Sequence, residues 1–183
     1  MKQLQLEPFE THPLIKNPHI QTLFGELFSS QKRMKSLLQF QVPLPDEDIL
    51  VCEYLPGTSD LVCMMAHGLT GDSQSAYLLR TAKYLNNLGH HIVLMNHRNC
   101  GTGYGMARHP YNSGKGDDIG EVIRYLRQKF KQHKIFFYGY SMSANAGLRL
   151  MAEPEVFFKQ DFSTYLPDAA FISNPPINLH QSS

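Results

Sequence analysis

The sequence of 183 residues has no tryptophan, only three cysteines and almost no net charge. Cys52, Cys63 and Cys100 are odd in number and widely spaced, which argues against a disulfide framework and against a zinc motif. A formal net charge of +1 gives no basic surface for nucleic acid and no acidic excess for a cationic partner. No apolar run is long enough to cross a bilayer, and the first residues lack a signal-peptide core. These absences predict a cytoplasmic protein with no transmembrane segment.

Short apolar runs separated by helical patterns are what the sequence does contain. Runs at 38–42 and 49–55 flank a turn and predict an antiparallel hairpin. Strands that are buried on both faces lose their polar alternation, and four continuous apolar runs follow the hairpin: Leu61–Met65, Ile92–Met95, Ile135–Tyr138 and Ala169–Ile172. Helical spacing lies between them, with Gly89 as the expected stop of the first helix. The pattern predicts an α/β fold, a mostly parallel sheet with helices on both faces.

The domain organisation follows from the same pattern. One domain is expected over residues 1–183. It comprises an N-terminal extension at 1–35, with a short helix over 20–27, and a sheet core at 36–183 that reaches about a sixth strand.

The stretch at 134–150 predicts a strand, a sharp turn and a helix, with Ser141 at the tip. It is close to the G-x-S-x-G pattern that exposes a nucleophilic serine, with Ser143 in place of the last glycine. Ser141 is therefore the candidate nucleophile, and the N–H of Met142 is a candidate oxyanion donor at a helix amino end. Small flanking residues are needed at such a turn, and Gly139 meets that need. The alternative is an ordinary β–α turn with a chance serine.

An upstream loop can supply the second oxyanion donor. His67, Gly68 and Leu69 directly follow an apolar run, and ligands bind beyond the carboxyl ends of strands in such sheets. The N–H of Leu69 is the preferred donor, with His67 and Gly68 shaping the loop.

Several motifs in order resemble the YheT-like branch of the α/β-hydrolase superfamily. The matching segments are Asn17–Leu23, His67–Ser73, Asn96–Gly101, Tyr111–Gly114 with Asp118, and Gly139–Asn145. The resemblance implies an α/β-hydrolase fold, carboxylic ester hydrolase activity and Ser141 as the nucleophile. It also implies that the catalytic acid and histidine follow strands later than the sixth, so both are expected to be absent from this chain. Two glycines of the family's elbow are replaced here, by Ser143 and Ala144, which crowds the turn.

Other residues are weaker candidates for chemistry. His97, His109 and His180 follow strands and are possible substitute bases, whereas Asp161 and Asp168 precede the last strand and are poor candidates for the acid. Cys100 lies in a glycine-rich loop, where an unreactive thiol is the simpler interpretation. The glycines at 101–105 do not fit the G-x-G-x-x-G spacing of dinucleotide sites. No cofactor and no metal are predicted.

Three hypotheses for function remain open at this point. The first is a serine hydrolase that cleaves small-molecule acyl esters through an acyl-enzyme. The second is an inactive remnant or binding module that keeps the scaffold. The third is one half of a split hydrolase whose acid and histidine come from a second polypeptide. If strands are missing, the last one forms an exposed sheet edge, which predicts self-association.

Overall fold

One sheet organises the computed structural model, which describes residues 37–159 and 161–176 together with Asn17 and Met34. Its strands are β1 (Leu38–Pro43), β2 (Ile49–Leu55), β3 (Leu61–Ala66), β4 (His91–Met95), β5 (Lys134–Tyr140) and β6 (Ala169–Ser173). They lie in the order β1-β2-β4-β3-β5-β6. The β1–β2 hairpin is antiparallel and β2 is antiparallel to β4, whereas β4, β3, β5 and β6 run parallel. The predicted hairpin and mostly parallel sheet are confirmed.

The helices begin and end close to the sequence expectations. They are α1 (Ala76–Asn87), α2 (Gly116–Lys129), α3 (Met142–Ala152) and the short α4 (Pro154–Phe157), with 3-10 turns at Gly101–Gly103 and Phe162–Tyr165. Gly89 has φ +91° just beyond α1, a left-handed conformation that costs glycine little. It therefore ends this helix as expected. Asp117 and Asp118 lie in the first turn of α2, where carboxylates favour the helix dipole.

The core lies on both faces of the sheet because successive residues of each strand point to opposite sides. Met64 packs in a cluster with Ile123 of α2 and Leu150 of α3. Met65, the next residue of β3, packs in a second cluster with Leu78 and other residues of α1. This double burial explains why the strands read as continuous apolar runs.

Three loops that carry candidate residues leave the same edge of the sheet. His67 follows β3, Asn96 follows β4 and Ser141 follows β5, and these three strands are parallel neighbours. The fold therefore gathers these loops, as predicted for the carboxyl ends of parallel strands.

Some sequence expectations fall elsewhere in the chain. The short helix over 20–27 and His180 lie outside the described residues. Residues 37–176 belong to one compact unit, Arg33–Ser183, and the expected division of 1–183 at residue 35 stays a prediction. Within the described part of the chain, no helix has the length and apolarity required to span a bilayer.

Candidate active site

Ser141 occupies a sharp turn between β5 and α3. Its backbone has φ 52° and ψ −115°, a conformation that is strained for a residue with a Cβ atom. The Ser141 side chain is exposed, whereas Met142, Ser143 and Ala144 behind it are buried. The backbone N–H of Ser141 donates to the carbonyl of Ser173 at the end of β6, at 2.9 Å. The turn thus presents one hydroxyl to solvent on a fixed backbone.

Close packing explains the glycine before the turn. A Cβ at Gly139 would lie 2.8 Å from Ala144 Cα and 2.9 Å from a ring carbon of Phe137. Both distances are shorter than any ordinary carbon contact, so α3 can approach β5 this closely only if residue 139 has no side chain.

The loop of residues 67–71, called the His67 loop below, lies directly against Ser141. A Cβ at Gly68 would be 3.1 Å from Ser141 Cβ and 3.6 Å from its hydroxyl oxygen. The N–H of Gly68 donates to the Tyr77 hydroxyl at 2.9 Å, and the N–H of Thr70 donates to the Tyr111 hydroxyl at 3.2 Å. Between them, the N–H of Leu69 has no hydrogen-bond partner among the described residues. One backbone donor of the loop is therefore free.

A cavity of about 410 Å³ opens above Ser141. Its lining comprises Gly68, Leu69, Tyr77, Tyr140, Ser141, Ser173 and Asn174. The volume lies in the range of small-molecule sites, and two tyrosine rings with backbone from two loops give the mixed apolar and polar wall that such sites have.

Ser143 takes the place of the motif's last glycine without leaving a polar group unpaired. Its side chain is fully buried, and its hydroxyl donates to the carbonyl of His67. Because that bond uses the only hydroxyl proton, the imidazole of His97 must donate from Nε2 to the Ser143 oxygen, at 2.6 Å. Two hydrogen bonds thus accommodate the side chain that the sequence suggests would crowd the turn.

His67 and His97 are held as neutral imidazoles with defined tautomers. The backbone N–H of His97 donates to Nε2 of His67 at 3.2 Å, so the His67 proton lies on Nδ1, which donates to the Gly68 carbonyl at 2.7 Å. Burial lowers the pKa of His67 below its usual value. Burial, with the neighbouring His67, lowers the pKa of His97 to about 3. Neither ring bonds to Ser141, whose hydroxyl has no hydrogen-bond partner in residues 37–159 and 161–176.

His109 lies in a separate cluster of charges centred on Arg98. Arg98 is buried and makes a two-point ion pair with Asp118, with both distances 2.7 Å. It also contacts Asp46 at 2.7 Å and Asp48 at 2.5 Å. His109 Nδ1 lies 3.0 Å from the Asp48 carboxylate. Asp118, one of the residues that carry the family resemblance, therefore anchors an ion-pair network. His109 is bound in that network and not at Ser141.

The same cluster contains a group of potential metal ligands. Atoms of Asp46, Asp48 and His109 lie within 4.8 Å of one another. Both carboxylates contact the Arg98 guanidinium, whose positive charge offsets part of theirs and repels a second cation. The arrangement is that of an ion-pair cluster.

The remaining candidates have structural roles. The Asp168 carboxylate accepts the Ile135 N–H at 2.7 Å, and that of Asp161 accepts the Ser163 hydroxyl at 2.8 Å. Burial raises the pKa of the Cys100 thiol, which disfavours the thiolate. Sequence reasoning missed the hydrogen bond from the Gly68 N–H to the Tyr77 hydroxyl and the Ser143–His97 contact. A tyrosine at a helix start and a serine after a turn carry no local signal of such contacts.

Comparison with known proteins agrees with this geometry. A family model described as the alpha/beta hydrolase fold matches residues 64–156, about half of the chain, which includes the His67 loop and Ser141. The chain belongs to the α/β-hydrolase family. Among curated proteins, this α/β-hydrolase chain is 26% identical over 161 residues to the embryogenesis-associated protein EMB8 of Picea glauca, covering 80% of the chain and 34% of that protein. It therefore spans about a third of that relative's length.

Solved structures with the same fold include hydrolases and esterases. XC6422 from Xanthomonas campestris, described as a serine hydrolase without a lid, has a TM-score of 0.56 and 21% identity, with 69% of this chain and 60% of that one covered. The Pyrococcus furiosus esterase Pf2001 has a TM-score of 0.66 and 18% identity, with 80% and 54% covered. At these identities, the likeness establishes the fold.

Proposed function

We propose that this chain carries the nucleophile and oxyanion-binding groups of a serine hydrolase that cleaves carboxylic esters of small molecules. The observation that carries the proposal is Ser141, exposed at φ 52° on the wall of a cavity of about 410 Å³. The Gly68 backbone packs against it. Family membership and the hydrolase and esterase names of structural neighbours support the same reading. The order of sequence motifs supports placement in the YheT-like branch.

The proposed reaction is acyl transfer in two steps. The Ser141 oxygen attacks the ester carbonyl carbon and its proton passes to a general base, while the carbonyl oxygen becomes an oxyanion. The N–H groups of Leu69 and Met142 stabilise that oxyanion. Leu69 N–H lacks another partner among the described residues, and Met142 N–H belongs to the first turn of α3, where no helix carbonyl is available to it. The alcohol leaves with the proton, and water then releases the acid from the acyl-enzyme.

The general base that takes the Ser141 proton, and the acid that orients this base, are proposed to lie in polypeptide outside residues 37–176. His67 and His97 are committed to other hydrogen bonds, and His109 is bound to Asp48. The solved relatives named above are longer than this chain, which spans 60% and 54% of them. A separate polypeptide that supplies the same groups, as in a split hydrolase, would meet the same need.

A fluorophosphonate probe tests the assignment of the nucleophile, because it forms a covalent bond with activated serines. We expect mass spectrometry to locate the probe on Ser141, and labelling to fall to background in Ser141→Ala. Ser163→Ala, which alters an exposed serine outside the cavity, should label like the wild type. Added imidazole can replace a missing base and should accelerate labelling of the isolated chain.

Two results would contradict the proposal. Labelling that persists in Ser141→Ala would mean that another residue reacts. A folded wild-type chain that is not labelled, with or without imidazole, would instead support the non-catalytic scaffold.

A further inference from the structure

A buried hydrogen-bonded bridge connects the loops that follow three strands. Ser143 lies in the first turn of α3, two residues after Ser141, and its hydroxyl joins the carbonyl of His67 to the imidazole of His97. These three side chains are at most 2% exposed. We call this set of contacts the Ser143 bridge. It links the segments after β5, β3 and β4 at one point.

The bridge acts on the peptide group that packs against Ser141. Its acceptor, the His67 carbonyl, belongs to the same planar peptide as the Gly68 N–H. A Cβ at Gly68 would lie 3.1 Å from Ser141 Cβ. Ser143 and Ser141 lie on the same turn, only two residues apart. The hydrogen bond from Ser143 to the His67 carbonyl therefore fixes the separation between the His67 loop and Ser141.

The bond between His97 and Ser143 leaves the other ring nitrogen of His97 without a hydrogen-bond partner among the described residues. Nδ1 of His97 is buried without a hydrogen-bond partner among the described residues, and such a group destabilises the folded state. The proton on Nε2 is the one that reaches Ser143. The His97 ring therefore takes part in the bridge through a single donor, the N–H at Nε2.

Two tyrosines hold the same loop on either side of Leu69. The Tyr111 ring stacks on His97, with centroids 5.3 Å apart and planes 10° apart, and its hydroxyl accepts the Thr70 N–H. The Tyr77 hydroxyl accepts the Gly68 N–H. Together with the bridge, these contacts fix His67, Gly68 and Thr70. They leave the N–H of Leu69 as the free donor between them.

We infer that Ser143 and His97 are positioning residues, which hold the His67 loop so that the Leu69 N–H stays at the distance from Ser141 that oxyanion binding requires. This inference rests on the proposed function. In this chain, the hydroxyl at position 143 ties the turn of Ser141 to the His67 loop by hydrogen bonding. Neither side chain touches substrate in this scheme.

The test separates binding of the fluorophosphonate from the bond-forming step. Labelling rates measured over a range of probe concentrations give a half-saturation concentration and a limiting rate. We expect Ser143→Ala and His97→Leu to lower the limiting rate about ten-fold, since misplacing an oxyanion donor affects the reacting step. The half-saturation concentration should change little. His97→Gln retains an N–H donor and should stay within about three-fold of the wild type.

Controls distinguish positioning from a general loss of stability. Ala146→Gly alters another buried residue of α3 and weakens the helix without touching the bridge. It should lower the melting temperature yet retain the wild-type limiting rate. If Ser141 is labelled equally fast in wild type and Ser143→Ala, the positioning role is wrong and the proposed function stands. If the folded wild type is not labelled at all, both are wrong.

Discussion

At the scale of single residues, Ser141 is held in a conformation that serine does not prefer. A φ of 52° with ψ −115° brings Cβ close to neighbouring backbone, and such residues persist only where surrounding structure imposes them. Here β5, α3 and the bond to the Ser173 carbonyl impose it. The strain is the cost of presenting the hydroxyl to the cavity.

Replacing Ser141 by glycine should therefore relieve this backbone strain. Glycine adopts positive φ without a Cβ penalty, so we expect Ser141→Gly to be more stable than Ser141→Ala by about 1 kcal/mol. Urea unfolding of both variants measures the difference. Ser141→Ala is the matched control because it removes the same hydroxyl and keeps Cβ. Equal free energies of unfolding for the two variants would mean that the turn stores no strain at Ser141.

The sequence predicts residue roles unevenly. Ser141, Gly139 and the His67 loop could be found because strand, turn and helix occur in consecutive residues, where local pattern is informative. The Ser143–His97 contact joins residues 46 positions apart. No local pattern encodes it, because it depends on β4 lying beside β3 with β5 on the other side. Which histidine meets which partner is decided by tertiary structure.

At the scale of elements, α3 packs on β5 through positions without side chains. A Cβ at Gly147 would lie 2.3 Å from a ring carbon of Phe137, and Phe137 is itself buried. The helix can therefore lie this close to the strand only with glycine at 147, even though glycine weakens helices. The position of α3 in turn sets the position of its first turn, which contains Met142 and Ser143.

Gly147→Ala should destabilise the protein by about 1–3 kcal/mol, as expected when a methyl group is forced into a packed core. Gly103→Ala is the matched control, because a Cβ there meets its nearest atom at 3.6 Å, an ordinary contact. Its free energy of unfolding should change by less than about 0.5 kcal/mol. Denaturant unfolding of both variants measures the comparison.

A double variant checks the cause. Gly147→Ala adds volume and Phe137→Leu removes volume at the same contact, so the double variant should cost less than the sum of the single variants. Additive losses would mean that the Phe137 ring is not what the methyl group meets.

The sequence predicts helices and strands where the spacing of apolar residues is strongly periodic. Strand β3 and helix α2 appear where their apolar patterns place them. The short α4 at Pro154–Phe157 and the turn at Phe162–Tyr165 were not predicted. Each is about one turn long, which is too short for a helical period to show in the sequence. The order of strands, with β4 between β2 and β3, also depends on contacts that no single segment encodes.

At the scale of the whole molecule, β6 is an edge of the sheet in the part of the chain that the structure describes. It pairs with β5 alone among these residues. Phe171, near its centre, is 51% exposed. An exposed edge strand with an apolar side chain is a template for pairing with another chain. The self-association expected from the sequence stays a prediction, and β6 is the strand through which two copies would pair.

Phe171→Lys should weaken that association. A lysine on an edge strand places like charges opposite each other when two copies pair, so we expect the dissociation constant to rise by about ten-fold. Sedimentation velocity over a range of concentrations measures it. Tyr84→Lys is the control, since Tyr84 is 66% exposed on α1, away from the sheet edge. Equal effects of the two variants, or a monomeric wild type, would argue against pairing through β6.

The Arg98 network also constrains the order in which the chain can assemble during synthesis. Asp48 and Arg98 are made before Asp118, and all three are buried when folded. Until residue 118 has left the ribosome, Arg98 lacks its two-point partner, and burying it would leave the Nε and Nη2 donors of its guanidinium unpaired. We therefore expect the β1–β2 hairpin and the end of β4 to remain hydrated in the nascent chain. They would close together once α2 has formed.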